Sequence, residues 1–267
     1  MNRIILGLAD GGIVAKRNLI KIKRVPDILV FTLMSPIMFV LLFAYVFGGS
    51  IDVPGVAYRE FLIAGVFVQT VIFGATFSGA GMADDMQKGI IDRFRSLPMS
   101  PAAVLVGRTA SDIVNNVLSL CVMSATGLAV GWRIRTSVPE AVAGFLLILL
   151  FAYAVSWVMA YVGLVVPTPE VVNNASFMVI FPVTFLANTF VPSQNLPSVL
   201  RTFAEWNPVS AVTQSARELF GNTGAPAAGS GPWSLDHPVL YTLIWVGIIL
   251  AVFVPLCVRR YQKAAEQ

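Results

Sequence analysis

Six long apolar runs, separated by short polar stretches, make up most of the chain: Leu29–Phe47, Phe61–Gly81, Leu105–Val130, Ala141–Val166, Val171–Phe190 and Val239–Val258. Each is close to the roughly 20 residues that a helix needs to cross about 30 Å of hydrocarbon. In lipid every backbone N–H and C=O must find a partner inside the protein, and a helix meets that demand within one segment. The pattern therefore predicts an all-α integral membrane fold with six transmembrane helices. Outer-membrane barrels read as alternating segments of about 10 residues, and these runs are too long and too continuous for that. Between the fourth and fifth runs only Pro167–Glu170 intervenes, so those two also read as one broken hairpin.

Two further segments are patterned without being long enough to span. In residues 1–27, Ile4, Leu8, Ala15, Leu19 and Ile22 share one side of a helix, while Lys16, Arg17, Lys21 and Arg24 share the other. That separation predicts a helix lying in the membrane interface, its basic face toward anionic headgroups. The same charges also serve as a plain topological anchor. In residues 191–238, Pro192, Pro197 and Pro208 cut the chain into pieces. Val199–Trp206 and Val209–Phe220 each suit a short helix, with Asn207 as N-cap and Pro208 at the first position of the second. A re-entrant or surface-lying helical pair is expected there, followed by a flexible linker at Gly221–Pro232.

Composition agrees with a lipid solvent: 57% hydrophobic and 12% charged residues, with a mean hydropathy of +0.78. Soluble chains carry about twice that charged fraction. The net charge of +4 does not point to nucleic acid, because the basic residues fall where membrane topology puts them. Arg3, Lys16, Arg17, Lys21, Lys23, Arg24, Lys88, Arg93, Arg95, Arg108, Arg259, Arg260 and Lys263 fall on one side. Only Arg59, Arg133, Arg135, Arg201 and Arg217 fall on the other. The positive-inside rule then puts both termini and the 82–104 loop in the cytoplasm of a multi-pass plasma-membrane protein. The segment before the first run carries Asp10 and Asp27 and lacks a small-residue cleavage site, so it reads as an uncleaved anchor region. Cys121 and Cys257 both fall in spans and read as packing residues, and the single His237 leaves no zinc-hydrolase arrangement.

Candidate chemistry sits in two places. The third run carries Arg108, Asp112, Asn115 and Asn116. A lone Asp at mid-bilayer costs roughly 2.5–3.5 kcal/mol, so a pairing of Arg108 with Asp112, four residues on, is expected. These residues read either as paired charges near a membrane boundary or as the lining of a route or interface. The loop at 82–104 alternates both charge signs with apolar residues at helical spacing. Asp85, Lys88 and Asp92 share one stripe, Ile91 and Phe94 another, and Pro98 and Pro101 bound the segment. A short helix lying across the ends of the spans fits, either solvated or docked on a soluble partner.

The run Lys88-Gly89-Ile90-Ile91-Asp92-Arg93-Phe94-Arg95-Ser96-Leu97-Pro98-Met99-Ser100 resembles the corresponding loop of ABC-2 type exporter permeases. The similarity is nearest to the actinobacterial branch typified by daunorubicin/doxorubicin resistance permeases. It continues through Ala187-Asn188-Thr189-Phe190-Val191-Pro192, Leu196-Pro197 and Trp206-Asn207-Pro208-Val209. One departure is Pro101, where relatives often carry a basic residue. The resemblance implies that Asp85, Lys88, Asp92, Arg93, Phe94 and Arg95 couple the permease to a separate ATPase subunit. It implies ATP and magnesium on that partner and no cofactor on this chain, whose sequence contains no GxxxxGKS/T phosphate loop. It further implies a pair of permease copies in membrane lipid, and export of a hydrophobic or amphiphilic antibiotic. Export of a lipid-linked glycan by the same machine is the alternative cargo. An intramembrane enzyme is the alternative class, and it would need a convergent acid, base or metal set that Asp112 and a distant His237 do not supply.

Overall fold

The computed structural model describes residues 26–47, 51, 53–89, 101–223 and 232–263. The interface helix with Lys16, Arg17, Lys21 and Arg24 lies outside the described residues, as do Asp92, Arg93, Phe94 and Arg95 of the loop. Helix α1 runs Pro26–Leu42 and continues as a π-helical turn, Phe43–Phe47. Then come α2 (Tyr58–Gln87), α3 (Pro101–Ala129), α4 (Val138–Val165) and α5 (Pro169–Phe185). A 3-10 turn at Ser193–Asn195 precedes α6 (Ser198–Trp206), α7 (Pro208–Phe220), the single turn α8 (Trp233–Asp236) and α9 (Pro238–Lys263). The end of the bundle where α2 stops and α3 begins is termed the loop end, and the opposite one the far end.

The protein is membrane-embedded and, through its described residues, helical. Among the described residues, four helices are long and apolar enough to cross a membrane: Tyr58–Gln87, Leu105–Ala129, Val138–Val165 and Pro238–Gln262. The first apolar run is helical throughout, in α1 and its π-helical turn, whereas the fifth is shorter as a helix than as sequence. α5 has 17 residues because the chain leaves the helix at Leu186, whose N–H still bonds the carbonyl of Pro182. Residues 187–190 are buried but turned, so their apolarity belongs to packing rather than to a helix.

α2 is the central column. Every residue from Phe61 to Ile72 is buried, and the helix packs on α4 most extensively, then on α5, α3 and α7. Its closest crossing is backbone on backbone. A methyl group on Gly79 would stand 2.6 Å from the Met159 carbonyl oxygen of α4, and one on Gly163 would collide with the carbonyl of Gly79. Small residues at both positions let the helices approach without a layer of side chains between them. Toward the far end the core is aromatic: Phe67 meets Trp132 at 5.3 Å, and Phe220 meets Trp132 at 5.5 Å and Phe145 at 4.9 Å between ring centroids.

The outer surface is apolar too. On α9 Leu240, Ile244, Ile248, Val252 and Leu256 recur every fourth residue and are all exposed, a stripe suited to lipid rather than to water. Helix starts are written locally. Ser137 and Glu140 form a capping box on α4, the Thr168 hydroxyl caps α5, and Asn207 Oδ1 accepts from the Val209 N–H at 2.9 Å to cap α7. The expected short helical pair is thus present as α6 and α7. α6 is largely exposed, whereas α7 is inserted among α2, α4 and α9. Cys257 packs internally, its thiol donating to the Trp157 carbonyl at 3.3 Å, while Cys121 faces outward.

Candidate transport site

Arg108, Asp112, Asn116 and Ser119 recur at helical spacing on the face of α3 turned to α2. They meet small or polar positions on α2. Arg108 Nη1 pairs with Asp85 Oδ2 at 3.1 Å, and its Nη2 donates to the Phe77 carbonyl at 3.3 Å. The Ser78 hydroxyl donates to Asp112 Oδ2, and the side-chain oxygen of Asn116 lies over Gly74. Asp112 and Asn116 are buried, Arg108 nearly so. The result is a polar seam running from the loop end into the bundle.

This corrects the expected pairing of Arg108 with Asp112. Side chains on a helix lean toward its N-terminus, and a long basic chain in a membrane extends toward the nearer boundary. Arg108 therefore points away from Asp112 and across to Asp85 on α2. Asp112 takes a neutral hydroxyl as its partner instead. Asn115, one residue off the stripe, turns about 100° away and is half-buried outside the seam.

The loop residues that are described also differ in form from a separate crossing helix. α2 runs unbroken to Gln87, so Asp84 and Asp85 stand on its last turn. Lys88 pairs with Asp84 at 2.8 Å, and its side chain is 59% exposed. The run of charges begins as a continuation of the span because nothing in 82–87 breaks a helix; a positive φ comes only at Gly89, just past the end of α2.

Beside the seam lies a cavity of about 370 Å³ between α1, α2, α3 and α5. Phe39, Phe73, Phe77, Phe177 and Phe181 give it aromatic walls, while Gln69, Thr70 and Ser119 add neutral polar groups. Phe73 and Phe177 face each other at 6.0 Å, and Phe177 and Phe181 stack at 5.1 Å. Among the described residues its lining carries no charged side chain. Such a space accepts a planar or apolar body and orients it by a few hydrogen bonds. A second cavity, about 340 Å³ between α2, α4 and α5, is almost wholly aliphatic.

The far end holds a buried arginine that the sequence did not single out as a site residue. Arg217 of α7 is an external basic residue by the topology count, yet it is only 1% exposed. Its Nε donates to the Phe61 carbonyl at 2.9 Å, and Nη2 donates to the carbonyls of Asn188 at 2.7 Å and Thr189 at 3.1 Å. Its guanidinium lies 3.4 Å from the Phe61 ring centroid. Burial draws its pKa down to about 9, and the nearby Tyr58 hydroxyl opposes that shift. Tyr58 itself donates to the Phe190 carbonyl at 3.0 Å. The turn after α5 is thus held from both sides. Nearby, Arg135 pairs with Glu60 at 2.8 Å, and that carboxylate's hydrogen bonds raise the pKa of the guanidinium. Trp132 Nε1 donates to Asn222 Oδ1 at 2.7 Å, fastening the end of α7 to the α3–α4 connection. One signal for Arg217 was present in the sequence: it is the lone basic residue of a short helix otherwise rich in Ala, Ser and Val.

Residues 11–220 match the family model of the ABC-2 type transporter, a stretch that takes in α1 to α7. The chain belongs to the ABC-2 type transporter family. The daunorubicin resistance ABC transporter permease DrrB1 of Streptomyces coeruleorubidus is 31% identical over 247 residues, 92% of this chain and 84% of that protein. The doxorubicin resistance permease DrrB of Mycobacterium tuberculosis is 24% identical over 187 residues, 70% of this chain and 64% of that protein. ABC-2 members are transport permeases rather than enzymes, which sets aside the intramembrane-enzyme alternative.

Proposed function

We propose that this ABC-2 permease is the membrane subunit of an ATP-driven exporter of a hydrophobic or amphiphilic drug. The observation that carries the reading is the similarity to a daunorubicin resistance permease over 92% of the chain. The aromatic cavity is consistent with it, being of a size and chemistry for a polycyclic cargo with neutral hydrogen-bonding groups. ATP and magnesium reside on a separate ATPase, which docks on the loop that carries Asp85, Lys88, Asp92, Arg93, Phe94 and Arg95. Charges there fix register and exclude wrong partners, while Ile91 and Phe94 supply buried area.

Six spans complete the permease. α1 with its π-helical turn has 17 and 5 residues, enough at 1.5 Å per residue for about 33 Å. α5 crosses with the help of the turned segment that Arg217 holds. Both termini and the 82–104 loop lie in the cytoplasm, with the α6–α7 pair at the outer face. Two copies form the working unit with two ATPases. The docking assignment is tested with Asp92→Arg: export and ATPase pull-down both fall while insertion and pairing stay normal. Normal pull-down with full export refutes it.

A further inference from the structure

Arg108 joins three things that sequence alone leaves apart. Through Asp85 it holds the last turn of α2, where the 82–104 loop departs; its own helix α3 is where that loop returns. With Nη2 it holds the carbonyl of Phe77, whose ring lines the aromatic cavity. The guanidinium seats on Gly81, where a methyl group would occupy its own place. Both charges of the pair are largely buried, with side-chain exposures of 16% and 13%. Below it the seam continues through Asp112 on Ser78 and Asn116 over Gly74, and Gly74 is again a cavity residue.

We propose that Arg108 is a positioning residue for coupling: it clasps the two stems of the 82–104 loop to each other and to the cavity wall, so that displacement of the loop moves Phe77. The inference rests on the exporter reading, in which a docked ATPase displaces that loop. The physical basis is that a paired, partly desolvated guanidinium bonded to two points of one helix transmits a push from the other helix without slack. Solvent-exposed pairs such as Lys88 with Asp84 lack that property, being free to part in water.

The test uses inside-out membrane vesicles containing the full-length permease with its ATPase subunit, and reads ATP-driven uptake of daunorubicin by its fluorescence. Arg108→Ala lowers maximal uptake about 10-fold at an unaltered apparent KM, with the ATPase still co-purifying. Arg108→Lys, able to reach one of the two acceptors, restores part of the rate. Gly81→Ala keeps every charge but evicts the guanidinium, a flexible end that yields without unfolding the helix. It lowers uptake by the same factor, and adds nothing in the Arg108→Ala background. Should Arg108→Ala fail to insert, Gly81→Ala and Arg108→Lys carry the test. Full uptake by these variants overturns the clasp. So do losses that multiply in the double variant, or a raised KM at unchanged maximal rate, which would assign Arg108 to cargo binding. Failure of the unaltered pair to drive uptake with ATP, or failure of the ATPase to co-purify with it, overturns the exporter reading and the clasp with it.

Discussion

Replacing Arg217 by leucine removes the donors that serve the carbonyls of Asn188 and Thr189 in the turn after α5 and the carbonyl of Phe61. Each buried carbonyl left without a partner costs about 1–3 kcal/mol, and loss of the stacking on Phe61 adds about 0.5–2 kcal/mol. Against this, removing a buried cation returns part of its desolvation cost. The net expectation is a destabilisation of about 2–4 kcal/mol, corresponding to a fall of roughly 5–15 °C in apparent Tm for a protein of this size. Lysine keeps the charge but gathers its donors on one atom. It cannot serve Phe61 through one nitrogen and the 188–189 carbonyls through another, so an intermediate loss is expected. The assay is thermal unfolding of the purified protein in detergent, followed by intrinsic fluorescence, alongside limited proteolysis at residues 186–197. A leucine variant with the wild-type Tm and an equally resistant turn refutes the reasoning. It would mean that the three hydrogen bonds contribute no more than the cost of burying the charge.

Two other substitutions probe the bundle. Gly163→Ala forces a methyl group against the carbonyl of Gly79, where backbone must move; a loss of about 1–3 kcal/mol is expected in the same unfolding assay, and unchanged stability would contradict the close crossing. Asp112→Asn preserves an oxygen for the Ser78 hydroxyl but discards the carboxylate. Export or assembly should change, measured as drug accumulation and membrane yield, and both at wild-type values would leave the seam's carboxylate a bystander.

What the sequence disclosed was mostly what lipid imposes. Run length, composition and punctuation by proline located the four long helices, the α6–α7 pair and the Asn207 cap, because each depends on residues close in the chain. The third run's Arg108, Asp112 and Asn116 were legible as a candidate site for the same reason: they recur on one helix face. Their partners were not. Arg108 prefers Asp85, 23 residues away, and Asp112 prefers Ser78, 34 residues away; both choices follow from which helix lies alongside. Hydropathy overstated the fifth span because Ala187 and Phe190 are as apolar in a buried turn as in a helix. The burial of Arg217 was not legible, because a topological rule counts basic residues without asking whether backbone carbonyls await them inside. The cavity was invisible for a related reason. Phe39, Phe73, Phe77, Phe177 and Phe181 look like ordinary core residues until three helices bring them around one space.

The most direct test of the account is ATP-driven drug uptake into proteoliposomes holding the purified permease, measured with and without its ATPase subunit. Daunorubicin is expected to accumulate only when permease, ATPase and hydrolysable ATP are all present, and not with a non-hydrolysable analogue. Accumulation by the permease alone, without any nucleotide-hydrolysing partner, would contradict it.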